Sequence, residues 1–153
     1  MGSETAISNM QTEGNSKKTM RKPAMLLLTA LLLISCTEVN TTDPLDSYKY
    51  WAGAKPPDDL KIVNGQYWQS AHWTKEYVLY LKLEPTDEWW DAFLNQNLIS
   101  PDTDEWTKPG DAPTWFRPSD HSIRYGGGED FDQGSRYFRD TLTGECYIYE
   151  IQL

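Results

Sequence analysis

Cysteine, histidine and basic residues are scarce in this sequence, and each shortage excludes a kind of chemistry. Among its 153 residues there are two cysteines and two histidines. A zinc site would need both His72 and His121 together with carboxylates, and nothing in the sequence signals such a set. The 14 lysines and arginines are outnumbered by 23 aspartates and glutamates, giving a formal net charge of −9. Nucleic acid and anionic membrane surfaces repel such a chain, so neither is expected as a partner.

A long hydrophobic run is also missing. The most apolar segment, residues 25–34, has no charge and a single polar side chain, Thr29. It is about half as long as the roughly 20 residues of a transmembrane helix. A positive cluster precedes it, formed by Lys17, Lys18, Arg21 and Lys22. Positive charge followed by a short apolar segment is typical of a secretory signal peptide, whose positive end stays in the cytoplasm.

The apolar segment ends in Leu33-Ile34-Ser35-Cys36, which resembles the lipobox of bacterial lipoproteins. The resemblance covers the signal and not the rest of the chain. It implies that residues 1–35 are removed, that the Cys36 thiol receives a diacylglycerol, and that the new amino group is acylated, for example with palmitate. Each buried methylene contributes about 0.8 kcal/mol, so two or three acyl chains would hold the protein to a lipid bilayer.

The same resemblance bears on the destination. In lipoproteins of bacteria with two membranes, an aspartate directly after the lipidated cysteine favours retention in the inner membrane, and here Thr37 follows. A cell-envelope location at the outer membrane is therefore expected, with the periplasmic and surface leaflets both open. Residues 1–16 precede the positive cluster and are longer than a signal peptide requires. Met20 is therefore an alternative start of translation.

Downstream of Cys36 the sequence predicts a tether and one small domain. Residues 36–59 are rich in prolines, acids and turn formers, which favours a flexible acylated tether. Their aromatic residues, Tyr48, Tyr50 and Trp51, leave open that part of this segment docks on the domain. The domain is expected over residues 60–153. Acylation of Cys36 leaves Cys146 without an intramolecular partner, so Cys146 is interpreted as a small buried side chain.

Turn, alternation and capping signals predict the first elements of the domain. Asn64-Gly65 indicates the turn of a hairpin between residues 60–63 and 66–70. Residues 76–84 alternate as a strand that buries Tyr77, Leu79, Leu81 and Leu83 on one face. Thr86 is expected to cap a helix that ends near Asn97 in a left-handed conformation. Along it an apolar stripe recurs, formed by Trp89, Trp90, Phe93, Leu94 and Leu98.

Prolines and a second alternation pattern predict the remainder. Residues 100–119 contain four prolines and are expected to form a long loop, pinned to the domain by Trp115 and Phe116. Residues 122–125 form a strand, and residues 135–140 and 145–153 a hairpin. The predicted fold class is α+β, an antiparallel sheet of five or six strands with one amphipathic helix packed on a face.

Motifs that could carry catalysis or metal binding have simpler interpretations. Ser119-Asp120-His121 has the residue types of a hydrolytic triad, but triads are assembled from separated elements, so a polar turn is favoured. The acidic residues within 102–105 and 129–132 could offer oxygens to calcium, although the first departs from the EF-hand pattern. Gly126-Gly127-Gly128 lacks the lysine and helix of a phosphate loop. No catalytic residue, metal ligand or cofactor is predicted.

Aromatic side chains are the least ordinary feature, with seven tryptophans and nine tyrosines. Rings near carboxylates are what a glycan or peptide stacks on and bonds to. The candidate ligand-binding residues are Trp68, His72, Trp73, Trp106 and Trp115. A small domain also needs large side chains to fill its core, so most of its aromatic residues are assigned to packing.

Three functional hypotheses follow. The first is a membrane-anchored envelope lipoprotein that is not an enzyme and whose sheet and long loop bind a partner protein or a glycan. The second is a small envelope hydrolase that uses His72 or His121 with a carboxylate such as Glu76 or Asp120. A protective protein against a toxin is a third, allowed by size and acidity alone.

Overall fold

The computed structural model describes residues 37–127 and 133–153, so Cys36 and the signal segment lie outside the described residues. Within them the chain is α+β, as the sequence predicts. The elements in chain order are β1 (Val39–Thr41), α1 (Pro44–Ala52), β2 (Lys61–Gln69), β3 (Tyr77–Glu84), α2 (Asp87–Gln96), β4 (Ser100–Pro101), β5 (Ser122–Gly126), β6 (Arg136–Asp140) and β7 (Cys146–Gln152). None of the described helices is long and apolar enough to span a membrane.

All the strands belong to one antiparallel sheet with the order β1-β2-β3-β7-β6-β5-β4. The described residues contain seven strands and two helices, so the expected five or six strands and single helix were too few. The additional edge strands, β1 and β4, have three and two residues, too short for an alternation pattern to show. The predicted β6–β7 hairpin is confirmed, with Arg139 opposite Cys146 beside the turn.

The first predicted hairpin is wrong, because β2 runs without a turn from Lys61 to Gln69. Its pairing with β3 shifts register between Ile62 and Asn64. Gly65 is needed there for space rather than for a turn: an added Cβ would lie 2.7 Å from the Ser47 Cβ in α1. The Asn-Gly pair therefore marks the place where α1 touches the sheet.

The prediction of a flexible tether is wrong for the residues that form β1 and α1. The turn formers of this segment cap the helix: the Asp43 carboxylate accepts from the Asp46 backbone N–H at 2.9 Å, and Gly53 ends α1 with φ 67°. Tyr48 is buried against the sheet, and β1 pairs with β2. The aromatic residues in this segment thus dock it on the domain.

Helix α2 confirms the predicted N-cap, because the Thr86 hydroxyl accepts from the Trp89 backbone N–H at 3.2 Å. Its predicted end near Asn97 is confirmed, because the helix ends at Gln96 with Asn97 as its C-cap, but the left-handed conformation predicted for Asn97 is wrong. Asn97 has φ −101°, and it is Leu98 that takes the left-handed conformation, with φ 54°. Leu98 therefore leaves the apolar stripe and is 81% exposed, while Ile99 enters the core at 8%.

The sheet has two covered faces. Helices α1 and α2 cover the helix face, whose core includes the predicted stripe of Leu79, Leu81 and Leu83. The long loop between β4 and β5 covers the opposite loop face, where Phe116 is fully buried and Trp115 is half-buried. Both predicted pins of the loop are confirmed.

Candidate functional site

The five candidate ligand-binding residues do not come together. Trp68 lies in β2, where its indole Nε1 donates to the Glu38 carboxylate at 2.8 Å. His72 and Trp73 lie in the exposed β2–β3 connection, and Trp73 is 89% exposed. Trp115 packs in a T-shaped contact on Phe116. Trp106 is the candidate that lines a cavity formed by described residues.

This cavity, the loop-face groove, has a volume of about 490 Å³. It lies between the long loop and strands β5 and β6. Its lining residues are Trp106, Lys108, Phe116, Arg117, Pro118, Ser119, Asp120, Ser122, Arg124 and Phe138. The Trp106 indole Nε1 donates to the Gly134 carbonyl at 3.3 Å, and its ring lies 5.2 Å from that of Phe138. The groove thus has an aromatic floor of fixed orientation.

Three cations line this groove in a strongly acidic chain. Arg124 is partly neutralised, since its Nε lies 3.1 Å from Asp102, and its Nη2 donates to the Asp104 carbonyl. Lys108 and Arg117 are exposed and form no ion pair among the described residues. Beside the Trp106 ring an anionic ligand would therefore find two cations that no described residue neutralises, against one carboxylate of the lining, Asp120.

The Ser119-Asp120-His121 stretch forms a polar turn at one end of the groove. The Ser119 hydroxyl donates to the Asp140 carboxylate at 2.5 Å, and the His121 backbone N–H donates to the same hydroxyl. His121 also uses its carbonyl, which accepts from Thr141. The hydrogen bond from Ser119, with those from the backbone N–H groups of Thr143 and Leu142, lowers the pKa of Asp140 to about 2. These contacts hold the turn.

No protein-family model, curated protein or solved structure matches this chain. A function is therefore proposed from two of the cavities that the described residues form, the loop-face groove and a second cavity on the opposite face of the sheet. Among the described residues, no group of three or more His, Cys, Asp or Glu side chains is placed to hold a metal ion. Of the two acidic groups considered for calcium, residues 129–132 lie outside the described part of the chain.

The second cavity, the helix-face cleft, has a volume of about 500 Å³ and opens between α1 and α2. It is lined by Tyr48, Trp51, Ala52, Trp89, Ala92, Phe93, Gln96, Asn97, Tyr137 and Glu150. Glu150 is half-buried, and its carboxylate accepts three hydrogen bonds. The donors are the Trp51 indole Nε1 at 2.9 Å, the Tyr137 hydroxyl at 3.3 Å and the Tyr77 hydroxyl.

Sequence reasoning missed Glu150, although the sequence contains a signal for it. Cys146 and Ile148 of β7 belong to the helix-face core. Because alternate strand residues share a face, Glu150 must point to the same face as these two apolar residues. A carboxylate at such a position needs partners. The three partners lie in α1, β3 and β6, so no local pattern identifies them.

Proposed function

We propose that this protein is a lipid-anchored binding protein of the bacterial cell envelope, and that its loop-face groove binds an acidic glycan. The observation that carries the proposed site is a pair of cations, Lys108 and Arg117, that form no ion pair with a described residue and lie beside the aromatic floor. Aromatic rings stack on sugar faces, and a guanidinium pairs well with a carboxylate or phosphate substituent.

Binding is favoured over hydrolysis by the positions of the two histidines. His72 and His121 are both exposed, and they lie in different connections of the sheet. The hydroxyl beside His121, that of Ser119, is already donated to Asp140. A hydrolase would instead need a base oriented toward a nucleophile in a cleft that excludes water.

The anchor is proposed from the sequence, because Cys36 lies outside the described residues. Cells are grown with a clickable palmitate analogue, and the protein is then captured and probed for label. We expect label on the wild type and none on Cys36→Ala. Cys146→Ala is the matched control and should keep its label, because Cys146 is buried in the core. An unlabelled wild type, or label that survives Cys36→Ala, contradicts the anchor.

The groove is tested on an array of neutral and acidic glycans with the full-length protein in detergent. We expect binding to glycans that carry carboxylate or phosphate groups. The double variant Lys108→Gln, Arg117→Gln should weaken it by about tenfold or more, since charge-assisted hydrogen bonds are worth about 1.5–3 kcal/mol. Both side chains are exposed, so the fold should be unaffected.

Lys55→Gln is the control for the array, because it removes an exposed cation that does not line the groove. It should bind as the wild type does. If no acidic glycan is bound, or if Lys55→Gln weakens binding as much as the double variant, the groove is not the site. If the wild type binds neutral and acidic glycans equally well, recognition depends on stacking and not on charge.

A further inference from the structure

The helix-face cleft places one carboxylate among aromatic rings and neutral donors. Glu150 accepts from an indole N–H and two phenol hydroxyls, so it has hydrogen-bond partners but no neutralising charge from them. Burial, together with the negative charge of Glu150, raises the pKa of Tyr77 far above its usual range. Tyr77 therefore remains protonated and donates to the carboxylate as a neutral group.

No cation of the described chain neutralises this charge. Within the described residues, no lysine, arginine or histidine lies at ion-pair distance from Glu150. Glu150 is also the one charged residue among the described residues that line the cleft. Lys75 lines a neighbouring cavity beside Trp51 and Tyr77, but it is exposed and forms no ion pair with Glu150. The charge is thus available to a ligand.

The walls of the cleft are aromatic. Trp51 lies 5.9 Å from Phe93 between ring centroids, and Trp89 stacks on Phe93 at 5.3 Å with an interplanar angle of 7°. Tyr48 meets Trp51 edge to face at 5.6 Å. The faces of such rings are electron-rich and attract a cation, most strongly once it has lost its water. The volume of about 500 Å³ is within the range of small-molecule sites.

We propose that the helix-face cleft binds a small organic cation through its alkylammonium group, with Glu150 as counter-ion and the aromatic walls around the alkyl groups. An anionic ligand would be repelled by Glu150. A divalent metal ion is a poor fit, because calcium needs six to eight oxygen ligands and the cleft offers one carboxylate. This site lies on the opposite face of the sheet from the loop-face groove, so it does not depend on the proposed glycan binding.

The test uses a cation and its neutral isostere. The full-length protein in non-ionic detergent is titrated with choline and with 3,3-dimethyl-1-butanol while tryptophan fluorescence is recorded. The two compounds match in shape and differ in charge, and Trp51 and Trp89 in the cleft report binding. We expect choline to bind at least about tenfold more tightly than the alcohol. Equal affinities, or no binding of choline, would overturn the proposal.

Two variants locate the site. Glu150→Gln keeps an acceptor for Trp51 and removes the charge, so it should abolish the preference for choline. Ala92→Leu places a larger aliphatic side chain at an exposed position of α2 that lines the cleft, and it adds no tryptophan to the fluorescence signal. It should block choline without touching Glu150, which keeps the test decisive if Glu150→Gln does not fold. Choline binding that survives Ala92→Leu unchanged would contradict the site.

Glu84→Gln is the matched control, because Glu84 is an exposed carboxylate at the opposite end of β3 from Tyr77. It changes the net charge as Glu150→Gln does and should leave choline affinity as in the wild type. If it lowers the affinity equally, the preference reflects overall charge and not this cleft. The Lys108→Gln, Arg117→Gln double variant should also bind choline normally, whatever happens to its glycan binding.

Discussion

The two faces of the sheet hold their carboxylates in different ways. On the loop face, Asp102 lies 2.7 Å from Arg136 and 3.1 Å from Arg124, so its charge is neutralised by two guanidiniums. Asp140, on the same face, accepts from a hydroxyl and two backbone N–H groups. On the helix face, Glu150 has neutral donors alone among the described residues.

This difference follows from what covers each face. A helix satisfies most of its own backbone hydrogen bonds, so it can be held on a sheet mainly by apolar contacts, to which the Asp87–Arg139 ion pair is added at the start of α2. A long loop with several prolines has few backbone partners, so side chains must hold it. The loop-face carboxylates therefore serve the fold, whereas the charge of Glu150 serves no ion pair within the described chain. The charges of Asp102 and Asp140 are thus structural, whereas that of Glu150 is available to a ligand.

The largest effect is expected from breaking the loop-face ion cluster. Asp102→Ala removes the carboxylate between Arg124 and Arg136, whose side chains are mostly buried, and leaves two guanidiniums without it. We expect a loss of about 3 kcal/mol in the free energy of unfolding, measured by urea titration. Asp104→Ala is the control, because its side chain is exposed and the Arg124 contact is to its backbone carbonyl. Equal losses in both variants would contradict the structural role of Asp102.

A comparable test on the helix face uses Gly65. An alanine Cβ there would lie 2.7 Å from the Ser47 Cβ and 2.9 Å from the Pro44 Cα, so α1 must move away from the sheet. Gly65→Ala should destabilise the protein by about 2 kcal/mol and also weaken choline binding, because α1 carries Trp51. At Gly110 in the long loop a Cβ meets nothing within 4 Å, so Gly110→Ala should be close to neutral. If Gly65→Ala leaves the stability unchanged, α1 is not packed tightly against the sheet.

The sequence predicts those parts of this architecture that depend on local pattern. The strand of residues 76–84, the Thr86 cap and the β6–β7 hairpin all arise from alternation or capping within a few residues. The sequence misleads where a residue that signals a local turn instead serves a contact between elements distant in the chain. Asn64-Gly65 is a strong turn signal, but here the glycine gives α1 room to approach. Likewise Asp43 and Pro44, which look like turn formers of a flexible segment, begin a helix.

The sites were harder to predict than the fold. Trp106 was identified from its place in a proline-rich loop, and it does line a groove. The cations around it come from the loop and from β5, and their convergence cannot be derived from spacing. Glu150 acquires its environment from three other elements of the sheet and helix layers. The available signal was the alternation of β7, which puts Glu150 on the same face as the apolar residues Cys146 and Ile148.

Two tyrosines of β3 give a finer comparison of the faces. Tyr77 donates to the half-buried Glu150 on the helix face, and Tyr80 donates to the exposed Asp111 at 3.1 Å on the loop face. Tyr77→Phe should cost about 1.5 kcal/mol, because the buried carboxylate loses a donor that water replaces poorly. Tyr80→Phe should cost less than about 1 kcal/mol, because water can reach Asp111. Thermal or urea unfolding of the pair tests this order, and the reverse order would contradict it.

The smallest expected effect is a change in how stability depends on pH. Because its hydrogen bonds lower the pKa of Asp140 to about 2, the unfolded chain binds its proton first as the solution is acidified. The stability that Asp140 contributes is therefore complete above about pH 4 and is lost as the pH falls toward 2. Asp140→Asn should be less stable at neutral pH and show a shallower decline between pH 4 and 2. Asp120→Asn removes an exposed carboxylate in the turn that Asp140 holds through Ser119, and it should keep the wild-type slope. If stability falls equally steeply with pH in the wild type and both variants, the charge of Asp140 does not hold the 119–121 turn.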